Sequence, residues 1–146
     1  MDNKYTSYRS GYKYQLAEDF HIKTTIKPET DIDTQFISLD SKGNLVVKSG
    51  YAWDGTSGPV VDTDFNLRAS LVHDALYQLM RKKKISVKKC KDKADKLFRA
   101  ICIKDGVLRP VAQAYYEVLK RLGKPATDPK NAKKLKYAPR SDKSEK

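Results

Sequence analysis

The stretch Asp64-Phe-Asn-Leu-Arg-Ala-Ser-Leu-Val-His73-Asp74-Ala-Leu-Tyr77-Gln-Leu-Met-Arg81 decides how the rest of this chain is read. Phe65, Ala69, Val72, Leu76 and Leu79/Met80 recur at helical spacing, which predicts a helix from about Asp64 to Arg81 with one buried stripe. Asp62 or Asp64 stands where an N-cap is expected. Arg81-Lys-Lys-Lys84 puts cations at the other end, where the helix dipole favours them. His73, one of only two histidines, lies mid-helix beside an acid. At i, i+4 spacing His73 and Tyr77 share a face, while Asp74 points about 100° away.

Downstream, Ser86 is a good cap for a second helix striped by Val87, Cys90, Ala94, Leu97/Phe98 and Ile101, with Asp95 beside Ala94. Asp105-Gly106 turns the chain. A third helix follows Pro110, striped by Val111, Tyr115, Val118/Leu119 and Leu122, and stops at Gly123 with Pro125 behind it. Cys90 and Cys102 fall on one helix, roughly 18 Å apart at ~1.5 Å per residue, too far for a disulfide. Neither has a partner at metal-ligand spacing, so both read as packed, reduced thiols.

Upstream, the loop Tyr51-Ala-Trp-Asp54-Gly55-Thr-Ser-Gly58-Pro59 is dense in turn formers and can serve as an ion-binding loop or a plain connector. Phe36-Ile-Ser-Leu39 and Leu45-Val-Val47 flank Asp40-Ser-Lys-Gly-Asn44, a hairpin signal. Tyr12 to Leu16 and Phe20 to Thr24 alternate as short extended pieces, which makes His21 an ordinary polar-face strand residue. The class that results is α+β. A small N-terminal antiparallel β-sheet or hairpin (10–50) is followed by a loop (51–63) and a three-helix core (64–123), all one domain over 1–123. Residues 124–146 hold eight basic residues, three acids and three prolines, and are expected to be a basic flexible tail.

With 146 residues, one modest core is the expectation. No apolar run approaches the ~20 residues of a spanning helix, and Met1-Asp-Asn-Lys lacks the pattern of a signal peptide. Charge is uneven: residues 1–80 carry 8 Lys/Arg against 11 Asp/Glu, residues 81–146 carry 22 against 7. A basic half suits an anionic membrane surface or nucleic acid, or simply solvates the surface.

Chemically, an unperturbed imidazole titrates near ~6.5 and makes a natural base at neutral pH. Asp95, on an antiparallel neighbouring helix, would hold its far nitrogen. Asp74, turned toward the loop, would join carbonyls of residues 51–58 in holding a hard cation such as calcium. Such an ion would polarise an ester carbonyl for attack by water that His73 activates. The commoner fate of a lone His-Asp pair on a helix is structural hydrogen bonding; the joint order of loop, His73-Asp74 and Asp95 is what favours chemistry.

The order Gly58-Pro59, Asn66 to Tyr77, then Ala94-Asp95-Lys-Leu-Phe98 resembles the core of the phospholipases of the A-two type, and within them the short, disulfide-free form carried in parvovirus capsid proteins. Gly106 to Gly123 is similar to the helix after that core. The resemblance implies a calcium-dependent lipase with His73 as base, Asp95 orienting it, Tyr77 supporting it and Asp74 as calcium ligand, with Asp54, Gly55 and Gly58 in the metal loop. The family's loop has a Tyr-x-Gly-x-Gly pattern, whereas here Trp53 and Asp54 stand in that stretch. Asp54 then replaces a carbonyl as ligand, or hydrogen-bonds His73 or a helix end.

Across residues 15–123, the set Asp54-Gly-Thr-Ser-Gly-Pro59, His73-Asp-x-x-Tyr77 and Ala94-Asp-x-x-Phe98 also resembles an uncharacterised family of tailed bacteriophages. It implies a phage or prophage origin and brings no function with it; the expected place is the virion or the host cytoplasm. Three functions follow: a hydrolase drawn to anionic phospholipid by Lys82–Lys84, Lys88, Lys89 and the tail; a non-enzymatic virion or tail component contacting other virion proteins; and a nucleic-acid-binding accessory, for which no reading motif is present.

Overall fold

The computed structural model describes residues 13–56, 60–122 and 127–128, together with two short strands at 6–8 and 136–138. In chain order the elements are β1 (Thr6–Tyr8), β2 (Tyr14–Gln15), β3 (Phe20–Lys23), β4 (Ile32–Asp33), β5 (Ile37–Leu39), β6 (Asn44–Val47) and β7 (Ala52–Trp53). Then come the helices α1 (Leu67–Arg81), α2 (Val87–Lys104) and α3 (Arg109–Leu122), and finally β8 (Lys136–Ala138). The class is α+β, with a small antiparallel β region before a three-helix core.

The hairpin forms where expected. β5 and β6 pair with Leu39 opposite Leu45 and Ile37 opposite Val47. Asp40 fastens the turn by accepting from the amides of Lys42 and Asn44, both at 2.9 Å. Gly43 supplies the φ of +91° that closes it, and a Cβ there would meet the Thr24 carbonyl oxygen at 2.4 Å. The sheet order is β3-β6-β5-β4, all antiparallel, and β2 pairs separately with β7. Period-two alternation sends Ile37, Leu39, Leu45 and Val47 inward, where they join the helices in one core. His21 on β3 is exposed, as its alternation implied.

Three details depart from the sequence reading. First, α1 begins at Leu67, not Asp64; Phe65 lies in the preceding turn, 56% exposed, and is not part of the buried stripe. Asn66 takes the cap position without a side-chain cap bond. Its amide instead binds back to the loop, accepting from the Thr63 amide at 2.9 Å and donating to the Val61 carbonyl at 2.8 Å. Neither Asp62 nor Asp64 caps the helix: Asp64 is exposed and Asp62 is engaged elsewhere. Second, α1 is buried nearly all round, with ten of its fifteen residues inside, so it is a central helix between sheet and helices rather than a striped one. Third, α3 buries Ala112, Tyr116 and Leu119, leaving Val111 (40%) and Leu122 (61%) exposed. Its inward face is turned about one position from the expected stripe.

α2 starts as anticipated, Ser86 accepting from the Lys89 amide at 3.3 Å. Cys90 and Cys102 both lie on it and are free thiols. Lys83 closes the α1–α2 junction in the left-handed region (φ 58°), and the Lys84 amide donates to the Leu79 carbonyl at 2.8 Å. Within the expected tail, residues 136–138 form β8, paired antiparallel with β1, an element not anticipated there. Gly123, Pro125 and the rest of the tail apart from 127–128 lie outside the described residues. No helix among the described residues is long and apolar enough to cross a membrane.

Candidate functional site

Helical spacing on α1 places His73 and Tyr77 one turn apart, and α2 brings Asp95 against both. His73 Nε2 lies 2.7 Å from Asp95 Oδ1, and the Tyr77 hydroxyl donates to the same oxygen at 2.6 Å. The other carboxylate oxygen, Oδ2, accepts from Lys91 Nζ at 2.7 Å, and Lys91 also donates to the Leu119 carbonyl of α3 at 3.0 Å. One carboxylate thus gathers donors from α1 and α2, and Lys91 extends the network to α3. Lys91 was missed by the sequence reading, although its i, i+4 spacing from Asp95 was visible.

The cluster is deep inside. Asp95 is fully buried and His73 is 3% exposed. The imidazole sits against Tyr77, with ring centroids 4.0 Å apart, and meets the Phe98 ring at 5.4 Å. Burial works against the charge on Asp95, yet the hydrogen bonds from His73, Lys91 and Tyr77 outweigh it and hold the carboxyl below its ordinary value. The Tyr77 phenol is pushed well up, by burial first and then by the Asp95 hydrogen bond and charge, so it stays a donor. A carboxylate only accepts, so Nε2–H donates to Asp95, and in the neutral ring the lone pair lies on Nδ1. Nδ1 makes no hydrogen bond among the described residues.

Asp74, the next residue, faces another environment. The Tyr51 hydroxyl donates to its Oδ2. Burial raises this carboxyl, opposed by the Tyr51 hydrogen bond and by the charges of Arg81 and His73, and reinforced by the negative charge of Asp54. Asp54 itself is exposed. The two acids expected at a metal loop are therefore electrostatic neighbours.

The loop that carries Asp54 is organised by Asp62, expected from the sequence only as a helix cap. Asp62 Oδ1 accepts from the Thr56 amide at 2.7 Å and from its hydroxyl at 2.8 Å, while Lys13 Nζ and the Tyr14 hydroxyl reach Oδ2, each at 3.2 Å. Despite partial burial, these donors hold the Asp62 carboxyl below its ordinary value. Gly55, at φ +88°, lies so close that a Cβ would stand 2.3 Å from Asp62 Oδ2. Trp53 donates its ring nitrogen to Ser70 Oγ at 3.0 Å, fixing β7 on α1.

These contacts bear on whether the loop fits calcium. Thr56 turns its amide and hydroxyl toward an internal carboxylate, the polarity of an anion cradle rather than of a carbonyl shell. Gly55 packs on that carboxylate, and Gly58 lies outside the described residues. No group of three or more His, Cys, Asp or Glu among the described residues could hold a metal ion. Among the described residues, the side-chain donors therefore do not gather into a calcium shell.

Of the expected site residues, then, His73, Tyr77 and Asp95 meet at one carboxylate, Asp74 and Asp54 lie together at a second place, and Gly55 serves Asp62. Scans against family models, curated proteins and solved structures return no match to this chain.

Proposed function

We propose that the chain is a phage-encoded, phospholipase-like ester hydrolase with His73 as general base. The observation that carries this reading is the His73–Asp95 pair, held at 2.7 Å with Nδ1 left without a hydrogen bond among the described residues. Nδ1 takes a proton from water as the water attacks an ester carbonyl. Asp95 holds the tautomer and stabilises the imidazolium that forms. The imidazolium returns the proton to the departing alkoxide, which leaves fatty acid and alcohol. Tyr77 and Lys91 are positioning residues, acting through Asp95. Because the ring is only 3% exposed, this chemistry requires a local opening that brings water and ester to Nδ1. Lys82–Lys84, Lys88 and Lys89 would draw the protein to anionic phospholipid, in the virion or the host cytoplasm.

The test is fatty-acid release from anionic vesicles by wild type, His73→Gln and Asp95→Asn, each with calcium and with chelator. Release abolished by His73→Gln supports the proposal; release equal in all three proteins ends it, and the calcium arm decides whether a metal takes part. The depth of the imidazole favours one second reading. In it His73, Tyr77, Lys91 and Asp95 form a polar fastening between helices in a virion or tail protein that works with other virion proteins. That reading expects no release by wild type, with loss of thermal stability alone on Asp95→Asn. Nucleic-acid binding stays a third reading, resting on charge only.

A further inference from the structure

We propose that the cavity between the β3–β4 connection and the start of α2 binds a phosphate ester of headgroup size, free or carried by a lipid. The cavity has a volume of about 370 Å³, and Lys27, Lys84, Lys89 and Lys93 line it against one acid, Glu29. Beneath them the walls are apolar: Ile26 and Ile85 are buried and Ile32 is half-buried. Among the described residues none of these four ammonium groups forms an ion pair, whereas Lys48, Arg68 and Lys91 each meet an aspartate.

Four like charges around one hollow repel each other, and its described lining supplies one carboxylate, Glu29. The first turn of α2 contains no acid, so the positive end of its dipole adds to these charges rather than offsetting them. A phosphate provides the missing negative charge and several acceptor oxygens, for which lysine is an effective point-charge partner. The apolar walls suit the carbon part of an ester. A concave site of this size holds one phosphate group, while a nucleic-acid duplex needs its cations spread along a face. The inference does not depend on His73 or on the hydrolase reading.

Cys90 lines the same cavity and is half-buried, while Cys102, the other thiol, is completely buried. The rate of Cys90 alkylation by iodoacetamide on the full chain therefore reports occupancy. Glycerol 3-phosphate at ten times its Kd should slow that rate roughly tenfold by mass action. Lys84→Gln/Lys89→Gln should lose the protection. Lys82→Gln/Lys88→Gln removes the same charge from exposed positions outside the cavity and should keep it. Protection by glycerol 3-phosphate or inorganic phosphate identifies a soluble ligand; protection only by phosphatidic acid vesicles, and not by phosphatidylcholine, identifies a lipid headgroup. The proposal is overturned if neither source protects, if potassium chloride at equal ionic strength protects as well, if the two double variants behave alike, or if only duplex DNA protects.

Discussion

Asp95 meets His73 across the α1–α2 packing and Asp74 follows His73 in the chain; burial acts against the charge of both, yet their carboxyls move in opposite directions. Asp95 accepts from Tyr77, Lys91 and His73, one of them a cation, and its value falls. Asp74 has the Tyr51 hydroxyl and sits within the field of Asp54, and its value rises. Burial is the largest influence on both; at Asp95 three hydrogen bonds, one of them from a cation, outweigh it, while at Asp74 the Tyr51 hydrogen bond and the charges of Arg81 and His73 do not. A carboxylate with enough donors becomes a fastening point; one short of them holds its proton to higher pH than usual.

The largest effect that would break this contrast is at Asp95. Asp95→Ala strips the charge from a fully buried cluster and leaves the Lys91 ammonium and two other donors facing nothing, at a cost on the order of 3–5 kcal/mol in urea unfolding. A loss under about 1 kcal/mol would mean that the cluster contributes little to the fold. The pH dependence has a definite sign. Because the folded value of Asp95 is depressed, its contribution is fully present above the unfolded value near ~3.9 and is lost as pH falls through the folded one. Asp95→Asn should flatten the acid limb of the stability curve in that window.

Lys91→Met comes next. It removes one charged hydrogen bond to Asp95 and one to the Leu119 carbonyl, from a side chain that is 15% exposed, and should cost about 2 kcal/mol. It should also shift the acid unfolding of the protein toward higher pH, since Asp95 loses its cation. An unchanged acid midpoint would show that Lys91 does not set the charge state of that site.

A pair of smaller substitutions sharpens the comparison. Tyr77→Phe should cost about 1 kcal/mol at neutral pH, because Asp95 retains two other donors. Tyr51→Phe removes a hydrogen bond that favours the charged form of a carboxyl whose value is raised, so its cost should grow as pH rises and shrink in acid. Equal, pH-independent losses at the two tyrosines would remove the distinction. The smallest effect, and the one of opposite sign, is Asp74→Asn. A raised folded value means that the favourable contribution of Asp74 exists below its unfolded value and disappears as pH rises through the folded one. The variant should therefore be more stable than wild type at neutral pH and indistinguishable from it near pH ~3, below the unfolded value of ~3.9. Thermal unfolding at the two pH values measures both.

Much of the architecture could be read along the chain because it is local. Asp40 and Gly43 specify the β5–β6 turn through bonds that span four residues or fewer. Ser86 starts α2 by capping its own first turn. The candidate site was legible for a similar reason: His73 and Tyr77 are one helical turn apart, and an acid on the next helix is the natural group to meet them. Phe65 was misplaced because its apolar character matched the helical period, while the Asn66 side chain, bonded back to Val61 and Thr63, holds the chain in a turn there. The one-position turn of α3 escaped because Val111 and Ala112 are both apolar, and only packing against α2 chooses between them.

The residue order alone determined the three helices, the hairpin, the cap of α2 and the face that pairs His73 with Tyr77, since each follows from interactions within a few positions of backbone. Only the tertiary structure decided that α1 is enclosed nearly all round, that Asp62 is drawn into the loop by Thr56, Lys13 and Tyr14, and that Lys91 ties Asp95 to α3. Those choices join groups up to 49 residues apart. Their outcome depends on which donors the packed elements bring within about 3 Å of a carboxylate, a quantity that no local pattern carries.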